Sequence, residues 1–178
     1  MAFTGAGCVS SERDGNTIRR FGQGLGSEQR VAVKNACYTI TVRFRDLDAL
    51  GHVNYAVYLT YLEEAFSRFW AGILASAGKA MVPGDPGCIT VRAEIDYRTP
   101  AQFGEIISVT VWVSAIGKSS FTAAYRITDQ STSRLIADAK TVQVVRLPGQ
   151  EEKLIPPEIR QALDECARAG GSGPDSNV

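Results

Sequence analysis

The sequence contains a single histidine, His52, among 178 residues. That scarcity excludes zinc and iron sites built from several imidazoles and leaves one candidate for imidazole chemistry. Cysteine is sparse too. Cys8, Cys37, Cys88 and Cys166 form no Cys-x-x-Cys pair, so neither a metal cluster nor a disulfide framework is expected, and they read as the reduced thiols of a cytoplasmic protein. No sign of charge dominates: 19 Lys and Arg face 19 Asp and Glu, which offers no field to attract nucleic acid or an anionic membrane. No apolar run approaches the roughly 18 residues of a spanning helix, and the Gly-x-Ser-x-Gly elbow of serine hydrolases is missing. What is present, 44% hydrophobic and 21% charged residues, is globular composition in a length that suits one domain.

The two ends differ from the middle. Residues 1–30 hold six glycines and few large apolar side chains, too little burial to offset the entropy of ordering. Gly5-Ala6-Gly7-Cys8 resembles a lipoprotein cleavage site, but neither a basic residue nor an apolar run precedes it. The expected organisation is a flexible N-terminal tail over 1–34, a folded domain over 35–168 and a loose C-terminal tail over 169–178.

Between the tails the hydrophobic pattern has two periods. Tyr38, Ile40, Val42 and Phe44 alternate with Thr39, Thr41, Arg43 and Arg45, and Val91, Ala93, Ile95 and Tyr97 alternate with Arg92, Glu94, Asp96 and Arg98. Both read as strands with one buried face. Further strands are expected at about 106–116, 119–128 and 134–146, rich in Val, Ile, Thr and Phe. The short separators suit hairpins, hence antiparallel pairing in a meander. From Tyr55 to about Ala77, Leu59, Leu62, Phe66, Phe69 and Ile73 recur at spacings of three and four, which predicts an amphipathic helix of roughly six turns. A second helix is expected from Pro157 to Ala169, with Pro at its first turn. The order predicts an α+β domain whose antiparallel five-stranded sheet curls around one long helix.

The chemistry concentrates in Arg45-Asp46-Leu47-Asp48-Ala49-Leu50-Gly51-His52-Val53-Asn54-Tyr55, which joins the first strand to the long helix. A helix N-terminus presents unpaired N–H groups and about half a positive charge, enough to polarise a carbonyl and hold an oxyanion. A nearby carboxylate can act as base or nucleophile on that carbonyl. The segment is therefore equipped for acyl transfer or hydrolysis. Each residue also has a plainer role: Asp46 and Asp48 as turn formers, Asn54 as helix cap and His52 as a packed side chain.

The run Phe44 to Ala56, followed by Tyr58-Leu59 and Tyr61-Leu62-Glu63-Glu64-Ala65, resembles the signature of hotdog-fold thioesterases, nearest the 4-hydroxybenzoyl-CoA thioesterase type. The resemblance extends through Tyr97-Arg98-Thr99-Pro100, Gly117-Lys118-Ser119-Ser120-Phe121 and the Val-rich last strand, over about 36–147. It implies the hotdog fold, with Asp48 as catalytic carboxylate and the backbone N–H of Tyr55 on the thioester oxygen. His52 departs from that branch, where many members carry Ile or Val. Its spacing to Asn54 resembles plant acyl-ACP thioesterases, in which such a His and Asn, with a glutamate matching Glu64, serve catalysis. Lys118, Ser119 and Ser120 fall where related enzymes contact CoA. Arg98 is a further phosphate contact or an ion-pair partner of Glu94 or Asp96, and Tyr58 is placed at the substrate. Phe66, Phe69 and Trp70 belong to the core by their helical spacing, or line an acyl pocket.

The resemblance further implies an acyl-CoA or acyl-ACP substrate, no metal or redox cofactor, and a homodimer joined edge to edge that can pair into tetramers, an outlet for exposed edge strands. Nucleic-acid and membrane partners are not expected. A hydratase of the same fold is disfavoured, because its Asp-to-His spacing of five next to Asn-Pro is absent: Asp48 and His52 are four apart. A non-catalytic acyl-CoA-binding module stays open.

Overall fold

The alternating segments do become strands, though not in the order that their short connections suggest. The computed structural model describes residues 36–82, 87–146 and 154–169; the expected N-terminal tail lies outside the described residues, as does the C-terminal one except for Ala169, which ends the last helix. In chain order the elements are β1 (Ala36–Thr41), α1 (Val57–Ser76), β2 (Cys88–Tyr97), β3 (Ile106–Ile116), β4 (Ser120–Asp129), β5 (Leu135–Val145) and α2 (Pro157–Ala169). The sheet order is β1-β3-β4-β5-β2, antiparallel throughout. It is a five-stranded hotdog sheet curled around α1.

The expected meander holds for β3, β4 and β5 but fails at β2. That strand pairs with β5, because the free edge of β3 is taken by β1. The 98–105 connection therefore crosses the open end of the sheet instead of making a hairpin. It is pinned on the way: Arg98 and Thr99 N–H donate to Ile136 O, and Ala101 N–H donates to the Tyr58 hydroxyl. The crossing brings residues 101–105 under the loop that precedes α1.

Two further expectations change. Phe44 is 78% exposed, since the chain leaves the sheet after Thr41 and closes a 3-10 turn over Phe44–Asp46. The alternation in β2 is broken by a register shift between Thr90 and Arg92. A bulge of this kind moves side chains to the other face. Thr90 therefore lies opposite Gln143, and Ala93 opposite Thr141, on one face, while Val91 is thrown outward.

The core lies between α1 and the concave face. Tyr61, Ala65, Phe69, Trp70 and Ile73 are sealed there against Ile107, Val109, Val111, Phe121, Ala123 and Ile127. Trp70 stacks on Phe121 with centroids 5.5 Å apart; truncating such a ring costs about 3–5 kcal/mol. Phe69 and Trp70 are thus core, whereas Leu59, expected on the buried stripe, is largely exposed. Helix α1 ends in a Schellman motif. Lys79 N–H bonds Leu74 O and Gly78 N–H bonds Ala75 O, with Gly78 at φ +70. Ile159, Leu163 and Cys166 of α2 are buried as well, and Lys79 pairs with Glu158 at 3.0 Å.

Two buried carboxylates tie turns to this frame. Asp129 accepts bonds from the hydroxyls and N–H groups of Ser131 and Thr132, which hold its pKa down to about 2. Burial alone would raise Asp46, but the Arg43 N–H and guanidinium and the Tyr61 hydroxyl outweigh it and hold the carboxyl below its ordinary value. A depressed folded-state pKa stabilises above the unfolded value and is lost as pH falls through the folded one. The melting temperature should therefore hold from neutrality to about pH 4 and fall steeply toward pH 2. Thermal melts across that range check this, and Asp129→Asn should flatten part of the fall.

Candidate active site

Short-range hydrogen bonds shape the loop between Asp46 and α1. Asp48 N–H donates to His52 O at 2.8 Å and Gly51 N–H to Asp48 O at 3.0 Å, closing a turn in which Gly51 takes φ +76. A side chain is rare at that angle, which accounts for the glycine. Asn54 N–H donates to Asp46 O at 2.9 Å, and Val53 N–H to Ala101 O at 2.9 Å. The buried Asp46, bonded to Tyr61 of α1 at 2.9 Å, thus fastens the loop to the helix.

Asp48 is half-buried, and its Oδ1 accepts the Leu50 N–H at 2.8 Å. The turn-forming role is therefore real, yet it uses one oxygen: Oδ2 accepts no bond among the described residues. Asn54 is not the helix cap expected, since α1 starts at Val57 with Ala56 before it; it closes an Asx turn ahead of the helix, its Oδ1 taking the Ala56 N–H at 2.9 Å while its carbonyl takes that of Val57. The N–H of Tyr55, between them, donates to nothing among the described residues. Its carbonyl is anchored by the Tyr97 hydroxyl of β2 at 2.9 Å, and its side chain is 71% exposed. A free carboxylate oxygen and a free N–H at a helix start thus share one braced loop, suited to activating a nucleophile and polarising a carbonyl.

The other expected site residues spread out. His52 bridges Gln102 through its backbone and is half-buried. Tyr58 is buried, its hydroxyl accepting the Ala101 N–H, so it braces the crossing segment and exposes almost no surface. Glu64 is exposed and pairs with Arg68, which reaches over the Tyr38 ring of β1; this side of α1 looks away from β2. Arg98 pairs with Asp138 at 3.8 Å rather than with Glu94 or Asp96. Asp138 lies opposite Asp96 and also holds Arg126, whereas Glu94 is taken by Arg92.

Lys118, Ser119 and Ser120 form the β3–β4 turn, where Gly117 N–H donates to Ser120 O at 2.7 Å. That turn is at the opposite end of the sheet from Asp48, separated by the length of β3, about 33 Å at strand rise. Within one chain the two halves of the expected site do not meet. Cysteine chemistry has no support either, since Cys37, Cys88 and Cys166 are free thiols and burial pushes Cys88 up to about 12.

A cavity of about 650 Å³ between Phe103, Ile106 and Arg134 has its main polar groups already paired, Arg134 with Glu105 at 2.7 and 2.8 Å. A smaller one, about 290 Å³, lies beside α1 with Leu59, Leu62, Glu63 and Phe66 on one wall. Neither Glu63 nor Tyr97 was expected at the site. Glu63 resembled any solvated helix charge, and the position of Tyr97 depends on β2 pairing with β5.

This architecture, with its loop at the helix start, is that of the hotdog proteins. The chain belongs to the thioesterase-like superfamily, whose family model matches residues 42–163, and is an enzyme of the thiolester hydrolase class. It is 29% identical over 131 residues to the long-chain acyl-CoA thioesterase FadM of Escherichia coli, covering 72% of this chain and 97% of the relative. It is 27% identical over 110 residues to the 1,4-dihydroxy-2-naphthoyl-CoA hydrolase of Synechococcus elongatus, covering 58% and 75%. Among solved structures it resembles a Thermus thermophilus thioesterase complexed with coenzyme A and Zn, at 30% identity, TM-score 0.59 and coverage of 71% and 95%. No described helix is long and apolar enough to cross a membrane.

Proposed function

We propose that the protein hydrolyses acyl-CoA thioesters to free acid and CoA, with Asp48 as general base or nucleophile and the Tyr55 N–H on the carbonyl oxygen. The observation that carries this reading is the unspent Tyr55 N–H, left over while Asn54 absorbs those of Ala56 and Val57. As base, Asp48 Oδ2 takes a proton from water as the water oxygen attacks the carbonyl carbon. The tetrahedral oxyanion is held by the Tyr55 N–H and the positive end of α1. Collapse breaks the C–S bond, and the proton passes from Asp48 to the departing thiolate. As nucleophile, Asp48 Oδ2 attacks the carbonyl carbon and the C–S bond breaks, CoA leaving as a thiolate that takes a proton from solvent; water then opens the anhydride, releasing the acid and restoring the Asp48 carboxylate. His52 and Asn54 flank this loop and position water or substrate; Glu64 is further from it and has the weakest claim.

The active unit in this reading is a homodimer joined through β2, which can pair again into tetramers. β2 is an edge strand with Ile89, Val91 and Tyr97 exposed, a ready template for a second copy. Antiparallel pairing about a two-fold axis sets the Tyr97 end of one β2 beside the Cys88 end of the other. The Cys88 end carries the Lys118–Ser120 turn, because Val145, opposite Cys88, donates its N–H to Ser119 O at 3.0 Å. The partner's turn would then supply the CoA contacts, with Arg98 beside them. Within the superfamily the 44–56 motif favours the 4-hydroxybenzoyl-CoA branch.

Thiol release from short, long and aromatic acyl-CoAs tests the proposal, with turnover of at least one ester expected. Release only from acyl-ACP would move the protein to carrier-protein substrates. Binding without release from either would make it an acyl-CoA-binding module.

A further inference from the structure

The face of β5 that looks at α1 reads Ala137, Ala139, Thr141, Gln143, Val145. Two polar residues interrupt an otherwise apolar series, and both are buried, at 5% and 1% exposure. They belong to a chain of side chains. Thr90 Oγ1 donates to Gln143 Oε1 at 3.0 Å, Gln143 Nε2 donates to Thr141 Oγ1 at 2.9 Å, and Thr141 Oγ1 shares a proton with the Tyr125 hydroxyl at 2.8 Å. The bulge in β2 is what turns Thr90 onto this face together with Ala93.

These four side chains, with Ala93, floor the 290 Å³ cavity whose opposite wall is Leu59, Leu62, Glu63 and Phe66; no hydrogen bond joins Glu63 to the floor. Their hydrogen-bonding capacity is not spent on one another. Whichever of Tyr125 and Thr141 donates, one hydroxyl hydrogen of the pair has no acceptor among the described residues, nor has the second amide hydrogen of Gln143. Reversing the amide changes which hydroxyl is spare, not that one is. Burial keeps the Tyr125 phenol protonated. A cavity for plain hydrocarbon gains nothing from such a floor and incurs the cost of burying it.

The cavity and the loop lie along the same face of β2. The Tyr97 hydroxyl touches Tyr55 O, and Tyr97, Ile95, Ala93 and Thr90 lie on one face of β2. Tyr97 to Ala93 spans about 13 Å at strand rise, and Val57, two residues after Tyr55, to Glu63 about 9 Å along α1. A group attached at the Tyr55 N–H and lying between β2 and α1 therefore ends over the polar floor.

We propose that this cavity takes the far end of the acyl group, and that the Thr90–Gln143–Thr141–Tyr125 chain selects acyl groups bearing a hydroxyl, phenol or keto oxygen there over plain hydrocarbon. The inference rests on the reading of the chain as an acyl-CoA hydrolase. An oxygen at that end accepts the spare hydroxyl or amide hydrogen, and a guest hydroxyl can donate to the second lone pair of Gln143 Oε1.

The test compares kcat/KM for pairs of acyl-CoAs that differ only in one terminal oxygen, aliphatic and aromatic, in wild type, Gln143→Leu, Thr141→Val and Thr141→Ser. Wild type should favour the oxygenated member by about tenfold, the worth of one or two net hydrogen bonds. Gln143→Leu and Thr141→Val should bring that ratio to one or invert it, whereas Thr141→Ser, which keeps the hydroxyl, should preserve it. The ratio is internal to each variant, so a general loss of activity does not mimic the effect. A wild-type ratio of one, or a ratio indifferent to both apolar variants, overturns the inference. If no ester is hydrolysed, the hydrolase reading fails, and the ratio of dissociation constants for the same pairs decides the cavity: a preference for the oxygenated member supports it and equal values overturn it.

Discussion

Asp48→Asn will lower acyl-CoA hydrolysis by about 10²–10⁴-fold, the usual worth of a positioned acid–base group, while the melting temperature stays close to wild type. The structure separates these outcomes because the two oxygens of Asp48 do different things. Oδ1 accepts the Leu50 N–H and holds the turn, and an asparagine oxygen can accept the same bond. Only the charge and basicity of the side chain are lost. Asp48→Ala should be equally inactive but less stable by about 1 kcal/mol, since the Leu50 N–H loses its acceptor. Urea unfolding of the two variants checks the difference. Unchanged activity in Asp48→Asn would remove it from the mechanism and turn attention to His52 and Glu64. After a single turnover in ¹⁸O-water, label in the Asp48 carboxylate and none in the released acid would show an anhydride opened at the aspartyl carbonyl, whereas label in the acid alone fits direct attack of water and equally an anhydride opened at the acyl carbon.

Much of the fold was legible because the pattern periods are unambiguous. The stretch Leu59 to Ile73 has no reading except a helix, and the bounds of α2 follow from Pro157 and the apolar spacing behind it. What misled was connection length. The link from Tyr97 to Ile106 is short enough for a hairpin, yet β1 takes the edge of β3, a competition between distant segments that local sequence does not express. The bulge at Val91 is hidden for a similar reason: alternation looks uniform through it, and only pairing with β5 shows the phase change. For the site, the loop motif was readable, and the turn-forming reading of its residues does not exclude the chemical one. Asp48 and Asn54 both close turns ahead of α1, and that local work is what leaves one carboxylate oxygen and one N–H unspent. The Thr141–Gln143 floor had no signal, because polar residues lie on both faces of β5 and the inward face is known only once α1 is in place.

Two variants inactive alone will recover activity together if the site is shared between copies. Asp48→Asn removes the carboxylate at one end of the sheet. Lys118→Glu reverses the charge at the other, about 33 Å away within the same chain. In an antiparallel β2–β2 dimer each site takes its Asp48 from one copy and its Lys118 from the other. A mixed dimer then carries one site with both residues intact and one with both altered. Random pairing makes half of the dimers mixed, so co-expression should restore about a quarter of wild-type turnover at low acyl-CoA concentration. Sites complete within one chain would instead give the average of the two variants. Val91→Glu checks the interface itself. Val91 is largely exposed on the edge strand, so the folded protomer loses little stability, whereas two carboxylates facing each other across a two-fold axis oppose pairing. The variant should elute as a monomer and lose kcat/KM by orders of magnitude. A fully active monomer would show that Lys118 and Asp48 serve no common site.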